Sequence, residues 1–212
     1  MLNDTLILKY SKEDNKDGLE NCKKLTKSIV KKHCGRDRFI SYRQAYYFAC
    51  DMDNVLEKAR NTEDVMLSVD IALLVLDEAI EAFQYADDSD GDIGMLVSKT
   101  MKTISTIIDR NTECDIKIKR QLFKKLLKKS ESKIFDGWND FRINMLEICA
   151  QFADIEEFRD QLTEKIKSMI DSNSNNEYKK YSNESMLHIL YEIIDEYGTK
   201  KESEEFIHTF FH

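Results

Sequence analysis

Residues 87–94 read Asp-Asp-Ser-Asp-Gly-Asp-Ile-Gly, a run whose closely spaced carboxylates and glycine have the makings of a calcium loop. An EF-hand draws oxygen ligands from its first, third, fifth and twelfth positions and needs glycine at the sixth. With Gly91 as that glycine, Asp90 and Asp88 take the fifth and third positions and Ile93 follows where an aliphatic fits. The first position then falls on Ala86 and the twelfth on Val97, so the opening ligand and the bidentate glutamate are both missing. The pattern therefore predicts a turn between helices. Asp87 or Asp88 ends one helix, Gly91 takes a positive φ, and Asp90 or Asp92 caps the next. A metal-dependent enzyme with a carboxylate site near residues 87–92 stays open as an alternative.

The other reactive groups form no recognisable constellation. His208 and His212 stand four apart near the chain end, as a metal pair would, but without an evident third ligand. His33 stands beside Cys34 without partners at zinc spacing, and His188 is remote from both. Cys22, Cys34, Cys50, Cys114 and Cys149 are odd in number and widely spaced, which suits reduced thiols in a cytoplasmic protein. There is no glycine-rich phosphate loop and no nucleophile motif. The expectation is a protein that is not an enzyme and carries no metal and no cofactor.

Charge offers two binding surfaces. The net charge of -8 argues against general nucleic-acid affinity but leaves room for a local basic patch. Arg120, Lys124 and Lys128 repeat every four residues within the basic run 117–129, and make a ridge suited to phosphates, so a nucleic-acid partner is possible. A second group of cations spans Lys23 to Arg38. Asp70, Asp77, Glu81, Gln84 and Asp88 step by helical intervals through an otherwise apolar segment and would project an acidic ridge for a protein partner. The lone Trp138, beside Gly137 and near Phe141, is a core anchor or an aromatic contact point.

These residues need elements to carry them, and the sequence supplies helices almost throughout. Proline is absent and only six residues are glycine, which removes most helix breakers. Apolar spacing and capping signals, among them the pairs Ser41–Gln44, Thr112–Asp115 and Thr199–Glu202, predict helices over 17–34, 41–59, 64–86, 93–110, 112–132, 137–153, 154–170, 182–197 and from 199 onward. Residues 171–177 form a polar linker. Short connections make neighbouring helices antiparallel. The expected fold is all-α: about nine helices in antiparallel hairpins, as an irregular TPR/HEAT-like repeat array or a compact bundle, in one domain over 1–212. The longest apolar run, Ile71 to Leu76, falls far short of the roughly 20 residues that span a bilayer, so no membrane role is expected.

The segment from Ala72 through Gly94, followed by Phe135-Asp-Gly-Trp-Asn-Asp-Phe-Arg with Leu146, resembles the helical region of bacterial SWIM zinc-finger proteins. Leu190-Tyr-Glu, Tyr197-Gly and Glu205-Phe resemble it too, so that the likeness covers most of residues 20–210. In that family an upstream Cys-x-Cys and Cys-x-His element binds zinc, and partners that are proteins or nucleic acids are supposed. This chain has no such element, so the resemblance transfers no zinc ligand and no catalytic residue. Together these features lead to an α-helical interaction or scaffold domain with a protein partner. A nucleic-acid accessory domain using 117–129 is the alternative.

Overall fold

The computed structural model describes residues 3–173 and 180–210, with side chains from residue 18 onward. Among these residues the fold is all-helical. It comprises α1 (Asn3–His33), α2 (Tyr42–Arg60), α3 (Val65–Ala82), α4 (Asp92–Asp109), α5 (Ile116–Ser130), α6 (Asn139–Ala150), α7 (Glu156–Asn173), α8 (Lys180–Tyr197) and α9 (Lys200–Phe210). One 3-10 turn, Lys133–Phe135, precedes α6. The helices form two compact units, Met1–Asn111 and Thr112–His212.

In the first unit α3 is central. Val69, Ile71, Ala72, Leu73, Val75, Leu76, Ala79, Ile80 and Ala82 are all buried, as expected of a helix apolar on most sides. It packs on α1, α2 and α4, and α2 packs on α4 as well. Contacts from Tyr46 beside Met95, through Asp53–Lys99, to Arg60–Thr103 advance in the same direction along both helices, so α2 and α4 run parallel with α3 returning between them. In the second unit α5 packs on α6 and α7, α6 on α7 and α8, and α8 on α7 and α9. Its centre is a ring cluster in which Phe123 stacks on Phe158 at 4.8 Å and meets Phe152 edge-on at 5.9 Å. Each unit thus packs helices on the next and the next but one, a pattern common to small bundles and stacked hairpins.

Several helix starts follow the sequence and others do not. Asp64 accepts from Leu67 N at 2.8 Å, and Thr199 with Glu202 forms a reciprocal capping box. The helix start expected at Thr112 moves to Ile116, where Asp115 is the cap and accepts from Lys117 N at 2.7 Å. The box expected of Ser41 and Gln44 does not form: Ser41 makes no side-chain cap, and Gln44 Oε1 lies 2.8 Å from His33 Nδ1. Gly18 does not interrupt α1, which begins well before the expected residue 17. Residues 171–173 of the expected linker are the last of α7, and 174–177 lie outside the described residues.

The segment expected as one helix over 64–86 stops at Ala82. Three successive i→i+3 bonds, from the amides of Phe83, Gln84 and Tyr85, tighten the chain beyond it. The next residues then extend, and Ile40 pairs with them: its amide donates to Tyr85 O at 2.8 Å, and its carbonyl accepts from Asp87 N at 2.9 Å. Long-range backbone pairing with the loop before α2 therefore ends the helix, which local periodicity does not reveal.

Candidate functional site

In the Asp-rich loop Asp87, Asp88 and Asp90 each have a structural partner. Asp88 holds the start of α4, with Oδ1 accepting from Ile93 N at 2.7 Å and Oδ2 from Gly94 N at 3.0 Å. That is a correction, because the cap was expected of Asp90 or Asp92. The geometry explains it. Gly91, at φ 77, is the residue flanking the helix, and the left-handed turn there brings Asp88 back over the open amides. Asp87 accepts from the amide and hydroxyl of Ser89. Asp90 accepts from the Tyr42 phenol, which raises the phenol's pKa. Asp92 is the first residue of α4. Among the described residues no group of three His, Cys, Asp or Glu side chains is placed to hold a metal ion.

The five residues expected to form one acidic line are divided. Asp70, Asp77 and Glu81 lie on α3, whereas Gln84 and Asp88 lie beyond its end. Glu78, on the same helix, is the unexpected acid. It is half-buried near Thr26 Oγ1 at 3.5 Å, and burial, then the neighbouring Glu81, raises its pKa. Burial, followed by Glu78, likewise pushes the Tyr85 phenol up to about 12.

The basic helix α5 is partly neutralised within its own unit. Arg120 Nη2 sits 2.6 Å from Glu157 Oε2, and its guanidinium lies over the Phe158 ring. Lys119 faces Asp154 at 3.9 Å. Lys124 and Lys128 are exposed. Trp138 is half-buried and stacks on Phe141 at 5.9 Å. Around it Gly137 adopts φ 89, Phe135 is fully buried, and Arg142 reaches Asp136 at 2.8 Å and the carbonyls of Ser130 and Ser132. The Phe135–Arg142 motif is thus a corner that closes the carbonyl end of α5. His33 is also an internal strut: its ring is buried, with Nε2 2.7 Å from Asp51 Oδ2 and Nδ1 against Gln44. Of the pair His208 and His212, the second lies outside the described residues.

The most prominent surface feature is one the sequence did not flag. Tyr42, Tyr46 and Tyr47 on α2, Phe39 just before it, and Met95 on α4 are all exposed, Met95 to 67%. Tyr46 and Tyr47 meet edge-on at 5.4 Å. Between α2 and α4 lies a cavity of about 330 Å³ lined by Tyr46, Ala49, Cys50, Asp53, Met95 and Leu96 among others. A signal existed. The core stripe of α2 runs Ala45, Phe48, Met52, Val55, Leu56 and Ala59, and Tyr42, Tyr46 and Cys50 form a second line at four-residue steps that the core does not use.

Searches of protein-family models, curated proteins and solved structures find no match to this chain.

Proposed function

We propose that this chain is a cytosolic α-helical interaction module that binds a protein partner through the aromatic face of α2 and α4. The observation that carries this reading is the cluster of Tyr46, Tyr47 and Met95, exposed to 55%, 56% and 67% beside a groove. Tyrosine and methionine gather at the centres of protein interfaces, where flat amphipathic rings and a flexible thioether gain contact at low entropic cost. No helix among the described residues is long and apolar enough to cross a membrane. The resemblance to the helical region of SWIM zinc-finger proteins favours the same class of role. The alternative partner, a nucleic acid on α5, is less supported because Arg120 is tied to Glu157.

Affinity capture from the native source tests this. The wild type is compared with a Tyr46→Ser/Tyr47→Ser/Met95→Ser variant and an Asp77→Lys/Glu81→Lys variant. These side chains are exposed or half-buried, and circular dichroism confirms that each variant folds. A partner held by the wild type and lost only from the first variant supports the aromatic face. Loss from the second alone moves the contact to the acids of α3. An identical partner list for all three refutes both surfaces.

A further inference from the structure

The groove between α2 and α4 does not end with its aromatic section. Past Lys99, which borders both parts, it opens into a second concavity of about 380 Å³ lined by Arg60, Lys99, Lys102, Thr103, Thr106 and Arg110 with Ile107. No carboxylate lines this end. Two of its cations are held in place by acids at its margin. Lys99 Nζ lies 2.5 Å from Asp53, and Arg60 contacts Asp53 at 3.6 Å and pairs with Glu57. Thr103 also accepts from Arg60 Nη2 at 3.0 Å and fixes the guanidinium further. Lys102 and Arg110 form no ion pair among the described residues and are exposed. Four cations against two touching acids leave a local surplus of two positive charges, in a chain whose net charge is -8. The threonine hydroxyls do not add donors, because both bond carbonyls of their own helix, Lys99 O and Lys102 O. What this end recognises is therefore charge.

Resting on the interaction-module reading, we infer that the groove takes an acidic amphipathic segment of the partner. Its apolar anchor lies on Tyr46 and Met95, and its carboxylates reach Lys102 and Arg110. Met95 and Lys102 are separated by two turns of α4, roughly 10 Å, and Arg110 lies roughly 22 Å from Met95. An occupant meets those spacings with acids about seven and fifteen residues from its anchor if helical, or about three and seven if extended. A basic segment would meet like charge at this end, and the excess negative charge elsewhere would direct an acidic one to it.

A random peptide library displayed on phage, selected on the 212-residue chain, tests this without knowledge of the natural partner. The expected result is enrichment of peptides pairing an apolar anchor with aspartate or glutamate at those spacings. Their synthetic forms should bind Lys102→Glu/Arg110→Glu at least about tenfold more weakly than wild type, with affinity falling as salt is raised. They should also lose binding to Tyr46→Ser/Met95→Ser. Peptides that need Tyr46 and Met95 but show no acidic bias, or that bind the charge-reversed variant within about twofold, overturn the acidic partner and leave the module standing. Enrichment of basic peptides overturns it too. A library that yields no binders counts against the groove and the module together. Concentration-dependent dimerisation blocked by the same substitutions would replace the partner by a second copy of the chain and overturn the inference.

Discussion

Replacing Asp88 isolates the claim that the Asp-rich loop is a turn. Its two carboxylate oxygens bond two amides at the start of α4, Ile93 N and Gly94 N. Loss of one cap bond costs about 1 kcal/mol. The second bond adds about 0.5 kcal/mol, and loss of the negative charge from the positive end of the helix adds about 0.5 more. Asp88→Ala should therefore destabilise the protein by about 2 kcal/mol. At roughly 2–4 °C per kcal/mol for a chain of this size, the thermal midpoint falls by about 4–8 °C. Asp88→Asn keeps one acceptor oxygen and should cost roughly half as much. Asp90→Ala removes only an exposed contact to the Tyr42 phenol and should cost about 0.5 kcal/mol or less. Thermal denaturation by circular dichroism, with and without calcium, measures the wild type, these three variants and Asp92→Ala. The reasoning fails if Asp90→Ala or Asp92→Ala destabilises as much as Asp88→Ala. It fails also if calcium raises the wild-type midpoint and Asp88→Ala abolishes that rise, since the carboxylates would then be ligands.

Three further outcomes follow from buried groups. Phe123 is fully buried between Phe152 and Phe158, so Phe123→Ala should cost about 3–5 kcal/mol in urea denaturation, and a loss under about 1 kcal/mol would contradict the packing. The Glu78 carboxyl has its pKa raised by burial, so the folded state retains a proton that the unfolded chain releases. Stability from this group is present below the unfolded value, about 4.3, and is lost as pH rises through the folded value. Glu78→Gln should therefore stabilise at neutral pH, with the gain disappearing in acid; destabilisation at neutral pH would refute it. Burial raises the Cys149 thiol strongly, whereas Cys50 is exposed, so a thiol reagent should modify native Cys50 early and Cys149 only on unfolding. Mass spectrometry of the partly labelled protein reads the order.

Local signals carried much of the fold. Apolar spacing, the absence of proline and caps such as Asp64 and Thr199–Glu202 located helices because each acts within a few residues of itself. The end of α3 was not legible, since it depends on Ile40, more than forty positions upstream, pairing with Tyr85 and Asp87. The same non-locality took Gln44 from the expected cap of α2 to His33. It also hid the burial of Glu78, whose position on an apolar helix is equally compatible with solvent or core. Candidate acids and bases stood out in the sequence because charge is visible there, but nothing in a residue's type tells whether another element has already engaged it.

That distinction decides where function is to be sought. Asp87, Asp88 and Asp90 bond a turn, His33 and Asp51 brace α1 against α2, and Arg142 with Asp136 closes the end of α5. Removing any of these leaves a neighbour unsatisfied, so their presence is explained by folding alone. Tyr46, Met95, Lys102 and Arg110 differ. The first two expose apolar surface to water and gain little for stability from it. The last two place like charges around one concavity, which disfavours the folded state slightly unless an anion comes near. Stability does not account for an arrangement that is neutral or mildly costly to the free protein, whereas a bound segment supplying apolar surface and negative charge makes each of the four contribute.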